Sequence, residues 1–176
     1  LSDHGFANLD TTKYLKVPQV DTSHFLVRGG SALTHIYARD KIGRNNLNKL
    51  YKRLKVKSGH FKVYKTDNTP RRWHYRKKDN PAGRIGDIIL VPYPPYSFYF
   101  GGRKLLGAHG FDNRLRDMQA TFYAWGPAFK QHQQIKNFPN VAVYPLVAKI
   151  LGLTIPRKQK IDGKVKTLAR ILKDNR

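Results

Sequence analysis

The chain contains no cysteine and no glutamate. Without cysteine there are no disulfides and no thiolate ligands, so any metal has to be held by histidine and aspartate. Without glutamate, all eleven acidic residues are aspartate, set against 34 lysines and arginines, and the formal charge is +23. Helix-stabilising Glu–Lys pairs are therefore unavailable. The resulting positive field draws polyanions such as nucleic acid, nucleotides or anionic lipid, although the same composition also describes an ordinary basic surface. Long apolar runs are missing too, so no membrane span is expected. No secretory leader is visible in a chain that starts Leu1-Ser2-Asp3-His4, and the abrupt start suggests a portion of something longer. With 176 residues, 40% of them hydrophobic and 12% aromatic, the length is that of one domain able to bury a core.

What the chain does contain is histidine in unusual places. Gly107-Ala108-His109-Gly110-Phe111-Asp112-Asn113 sets an imidazole beside glycine in a loop closed by Asp-Asn. The glycines let the backbone take positive φ or approach another group closely. Such a loop also reads as a plain turn. Ser2-Asp3-His4-Gly5 opens the chain with a second imidazole, an acid beside it and a glycine after it. Aspartate oxygen and histidine nitrogen are ligands that zinc accepts. Neighbours on a regular strand point to opposite faces, so Asp3 and His4 converge only where the strand breaks, and Gly5 supplies that break. The other reading is a turn at a frayed end.

The remaining pattern alternates strands and helices. Residues 24–28 and 32–37 read as strands around Gly29-Gly30, with His24 and His35 as ordinary strand residues. Over 44–55, Leu47, Leu50, Tyr51 and Leu54 fall at helical spacing, with Asn45 or Asn46 placed to cap and lysines and arginines opposite. Strands are expected at 60–65, 87–91, 97–100 and 118–124. Arg71 to Lys78 interleaves bases with aromatics, which suits either nucleic-acid stacking or a charged strand face. Pro145 suits the first turn of a helix running to about Leu151, with Gly152 as its stop. The tail, 157–176, carries eight basic and two acidic residues, and Val165, Leu168, Ala169 and Leu172 predict a basic amphipathic helix. The fold class is α/β or α+β with a mixed sheet and ligand loops at strand ends.

With these segments read, the chain resembles the C-terminal part of the catalytic domain of the ecto-nucleotide pyrophosphatase/phosphodiesterase family, in the alkaline phosphatase superfamily. Ser2-Asp3-His4-Gly5 resembles that family's Ser-Asp-His-Gly motif. Arg72-Trp73-His74-Tyr75 and Arg84-Ile85-Gly86-Asp87 match two further segments, and Gly107 to Asn113 matches its Gly-x-His-Gly-Tyr/Phe-Asp-Asn. Downstream, Met118, Phe122, Gly126-Pro127-Ala128-Phe129, Asn140-Val141, Tyr144 and Leu151-Gly152-Leu153 follow in order. The resemblance covers 1–156 and leaves 157–176 as a separate tail.

The resemblance implies a mixed-sheet, alkaline-phosphatase-like α/β fold, of which this chain is the C-terminal portion. It implies two zinc ions, with Asp3 and His4 on the ion that holds the nucleophile and His109 on the second. Asp112 is a candidate to hydrogen-bond a ligand imidazole, with loop-shaping as the alternative. It further implies hydrolysis of nucleotide phosphodiester or pyrophosphate bonds to nucleoside monophosphates, through a threonine nucleophile, in an extracytoplasmic parent. The family's threonine, its aromatic base slot, an aspartate ligand and an Asp-x-x-x-His pair have no counterpart here, so this chain is expected to supply no catalytic nucleophile and to be inactive alone. Phe6 stands where the family has methionine, an apolar replacement. Two other classes remain open: a basic nucleic-acid-binding module using Arg71 to Lys78, and a non-catalytic partner-binding module.

Overall fold

The structure is a computed structural model describing residues 1–173. Its contacts divide it into two units, one of residues 4–119 and one of residues 1–3 with those from 120 onward.

The first unit is built on strands. In chain order they are β1 (Ala7–Asn8), β2 (Tyr14–Lys16), β3 (Phe25–Gly29), β4 (Thr34–Ala38), β5 (Phe61–Lys65), β6 (Ile88–Pro92), β7 (Ser97–Tyr99) and β8 (Gly107–Ala108). Between β4 and β5 runs helix α1 (Lys41–Val56). Four strands form an antiparallel sheet ordered β3-β4-β6-β5. β4 and β6 are its inner strands, and in β6 Ile88, Ile89, Leu90 and Val91 are all buried, as a continuous apolar run requires. α1 packs Leu50 and Leu54 onto Phe25, Ile36, Phe61, Val63 and Leu90, with Leu47 and Tyr51 alongside, which is the face its 3.6-residue period predicts. Two smaller ladders complete the unit: β2 pairs parallel with β7, and β1 pairs antiparallel with β8.

Several sequence expectations need correction here. The cap of α1 is Asp40, whose carboxylate accepts from the Gly43 amide at 2.7 Å, and not Asn45 or Asn46. Helix formation thus starts a turn earlier than the apolar pattern does. Arg71 to Lys78 is no strand: 3-10 turns occupy Arg71–Trp73 and Lys77–Asp79. Met118 closes a 3-10 turn, Arg116–Met118, in place of opening a strand.

In the second unit, helix α2 (Val143–Ile150) buries Leu146 and Ala148. It ends as expected at Gly152, whose φ of +67° lets the Leu153 amide reach the Ala148 carbonyl at 2.8 Å. The expected strand at 118–124 is absent from the ladders of the described residues. Thr121 instead exchanges hydrogen bonds with Ser2, its amide donating to the Ser2 Oγ at 2.7 Å and its carbonyl accepting from the Ser2 amide at 2.9 Å. The tail is not an amphipathic α-helix. It makes two 3-10 turns, Val165–Thr167 and Ala169–Ile171, which place Leu168, Ile171 and Leu172 against Ala142 and Leu146. Residues 174–176 of that expected helix lie outside the described residues. No helix among the described residues is long and apolar enough to cross a membrane.

Candidate metal centre

One short backbone ladder brings the distant histidines together within the first unit. β1 follows His4 by three residues and β8 precedes His109 by one, and their register pairs Ala7 with Ala108 and Asn8 with Gly107. The side chains under this ladder, Ala7, Leu9, Ala32, Ala108, Phe111 and Met118, form their own small core. Burial of Phe111 pins the loop two residues beyond His109. On the other side, Gly5 lies so close to residues 117–119 that a Cβ on it would sit 2.0 Å from the Asp117 carbonyl oxygen. Gly5 also donates its amide to the Met118 carbonyl at 3.1 Å. Glycine is needed there for close approach, as the sequence suggested for different reasons.

The product of this packing is a stacked pair of imidazoles. The rings of His4 and His109 lie with centroids 3.7 Å apart and planes 12° from parallel, and the Phe6 ring borders His109 at 6.2 Å. His4 Nδ1 lies 2.8 Å from the Gly5 carbonyl oxygen. A carbonyl only accepts, so Nδ1 carries a proton, and the tautomer compatible with this contact in a neutral ring has its lone pair on Nε2. A neutral imidazole with its Nδ1–H committed to a carbonyl is the form in which histidine holds zinc through Nε2. In its chemistry His4 therefore fits zinc, and the His109 imidazole is a donor of the same type. Among the described residues, however, no three His, Cys, Asp or Glu converge as a metal site. Asp3 belongs to the other unit, where its backbone carbonyl accepts from Asn140 Nδ2 at 3.3 Å.

Asp112 is engaged away from the imidazoles. Its Oδ2 accepts from the Arg72 guanidinium and its Oδ1 from the Arg114 amide at 3.0 Å. Arg72 Nε also donates to Asn113 Oδ1 at 3.0 Å. Partial burial works to raise the Asp112 carboxyl, but the Arg72 and Arg114 donors and the guanidinium charge outweigh it and hold the group below its ordinary value. Beside these groups lies a cavity of about 200 Å³, lined by Arg72, Trp73, Tyr75, Val91 and the loop from Gly110 to Asn113.

The role of Arg72 was not assigned from the sequence. Its signal was the Arg-Trp-His-Tyr segment itself, in which a turn lets alternate residues do different work. Trp73 packs edge-on against Tyr64 of β5 at 5.3 Å, while Arg72 lies over the Trp73 ring at 5.6 Å and reaches the loop. Arg76 is likewise engaged, donating to the Thr69 carbonyl. Of the basic and aromatic cluster, Arg71, His74, Lys77 and Lys78 are exposed, while Trp73 and Tyr75 are half-buried.

The family model described as type I phosphodiesterase / nucleotide pyrophosphatase matches residues 1–112. The chain belongs to that family. It is 31% identical over 154 residues to bis(5'-adenosyl)-triphosphatase ENPP4 of Bos taurus, covering 86% of this chain and 32% of the relative. To ectonucleotide pyrophosphatase/phosphodiesterase family member 5 of Homo sapiens it is 29% identical, covering 87% and 31%. The solved human ENPP5 structure superposes with a TM-score of 0.82 at 26% identity, over 98% of this chain and 44% of that one. Inactive murine ENPP5 in complex with AMP superposes with a TM-score of 0.81 at 25% identity, over 97% and 44%. The fold is thus a mixed α/β portion of the alkaline-phosphatase-like catalytic domain. The chain spans about a third of the length of these curated relatives.

Proposed function

We propose that this chain is part of a two-zinc catalytic domain that hydrolyses nucleotide phosphodiester or pyrophosphate bonds and releases nucleoside monophosphates. The supporting observation is the His4–His109 ring contact at 3.7 Å, made by two separate motifs in a member of this family. His4 would bind one zinc through Nε2, and His109 would bind the other. Asp3, next to His4 in sequence, is assigned by the resemblance to the same ion as His4. When bound, the pair of ions would stabilise charge on the phosphoryl oxygens and lower the pKa of the attacking hydroxyl. The chain's own residues orient: Gly5 O fixes the His4 tautomer, and the β1–β8 ladder sets the spacing of the two rings. A nucleotide as substrate is supported by the AMP bound to the murine relative. An extracytoplasmic location is proposed on the family resemblance alone.

The nucleophilic threonine and the remaining ligands would come from the part of the domain that this chain does not match. The isolated chain is therefore expected to show no turnover. The experiment is reconstitution: the chain is refolded with the N-terminal part of a related phosphodiesterase domain and assayed on a nitrophenyl nucleotide diester. Turnover that a chelator removes, zinc restores and His109→Ala abolishes supports the reading. Turnover indifferent to His109→Ala ends it.

A further inference from the structure

We infer that Arg72 is a positioning residue that holds the His109 loop in the geometry a metal ion requires. The inference rests on reading His109 as a zinc ligand and goes beyond it. The loop is fixed on one side of His109 by the β1–β8 ladder. On the other side Gly110, at φ +95°, is a soft joint, because glycine populates positive and negative φ about equally and is ordered only at a high entropic cost. Phe111 is buried beyond it, but a buried ring restrains position more than it fixes the backbone direction of its neighbours. The directional restraint is the Arg72 fork. One arm reaches the Asp112 carboxylate and the other reaches Asn113 Oδ1 at 3.0 Å.

The fork is itself anchored. Arg72 lies over Trp73 at 5.6 Å, and Trp73 stands edge-on to Tyr64, which β5 carries in the four-stranded sheet. A continuous line of packed and hydrogen-bonded groups therefore runs from the sheet to the segment that follows His109. Two acceptors on consecutive residues match a planar guanidinium, which presents several donors in a rigid array. A lysine ammonium keeps the charge but loses that geometry. This specificity for arginine separates positioning from simple charge neutralisation.

The test titrates Zn2+ alone into the 176-residue chain by calorimetry, for wild type and for Arg72→Lys and His109→Ala. Melting is followed by circular dichroism, and the His109 ring protons by NMR. Removing a partner that orients a metal ligand typically weakens binding by about 10- to 100-fold. Arg72→Lys is expected to weaken zinc by about tenfold or more on that scale, while the chain stays folded with only a small drop in melting temperature from the lost Asp112 and Asn113 contacts. It should also shift the His109 ring resonances out of their stacked positions. Zinc binding that His109→Ala abolishes and Arg72→Lys leaves at the wild-type value overturns the inference while sparing the ligand reading. If His109→Ala leaves zinc binding unchanged, the ligand reading fails, and the ring resonances decide the positioning question: unmoved in Arg72→Lys, they overturn it. Should Arg72→Lys fail to fold, Asn113→Ala, which removes one arm only, is judged by the same two readouts.

Discussion

Gly5 and Asp117 are locked against each other: the position of a Gly5 Cβ is only 2.0 Å from the Asp117 carbonyl oxygen, a backbone atom that cannot swing aside. Gly107 is crowded as well, with its Cβ position 2.3 Å from Phe6 Cε1. That neighbour is the tip of an exposed side chain. The two glycines flank the same pair of imidazoles yet differ in what opposes them.

Gly5→Ala is expected to destabilise the chain by about 1–3 kcal/mol or more, the usual range for forced overpacking, and to separate the His4 and His109 rings. Gly107→Ala should cost distinctly less, because the Phe6 ring can turn away. Urea unfolding of the two variants side by side checks the order, and equal losses would contradict the account.

Two histidines are expected to titrate on opposite sides of the ordinary value of 6.5. The hydrogen bond to the Asp40 carboxylate raises His24. Its contribution to stability is complete below 6.5 and disappears as pH rises through the raised folded value. Burial lowers His35, and its Nδ1 accepts from the Gly86 amide at 3.2 Å, so the folded ring is neutral. Its contribution is complete above 6.5 and is lost as pH falls from there through the lowered folded value. NMR titration of the two ring protons checks both signs, and Asp40→Asn should return His24 toward 6.5 while leaving His35 unmoved.

The tail is a core element of its unit. Leu168, only 1% exposed, packs with Leu146, Ile171 and Leu172. Leu168→Ala is expected to cost about 2–5 kcal/mol, as for other fully buried leucines, where a solvated amphipathic helix would show almost no effect. Thermal melts of the variant distinguish the two.

Asp112 supplies an acid-side expectation. Its carboxyl is held below the ordinary value of 3.8 because the Arg72 and Arg114 donors outweigh its partial burial. Its contribution is complete above 3.8 and fades as pH falls through the lowered folded value. In Arg72→Gln the carboxyl should titrate closer to 3.8, which carbon-detected NMR of the aspartates reads directly.

How much of this was legible depended on whether the signal was local. The apolar period of Leu47, Leu50, Tyr51 and Leu54 placed α1 because a helix satisfies its own backbone, whereas its true cap lay outside that period, at Asp40. The strand expected at 118–124 had the right composition but required a neighbour, and Thr121 found Ser2 instead. The tail showed helical spacing, yet spacing cannot say whether a leucine faces water or another leucine. His4 and His109 were singled out by adjacent glycines and by the family motifs. The fork of Arg72 was hidden because it joins residues 40 and 41 positions apart in sequence.

The ladder that supports the imidazole pair has only two residue pairs, Ala7–Ala108 and Asn8–Gly107, and it closes nearly the whole length of its unit. Closing so long a loop costs chain entropy that two short rungs repay poorly. Contacts near in sequence, such as the β3–β4 hairpin and the docking of α1, are expected to come together first, and the rings to meet among the last events of folding. Under mild denaturant the His4–His109 contact should accordingly be the first part of the unit to come apart, with amide exchange at Ala7 and Ala108 outpacing exchange along β6.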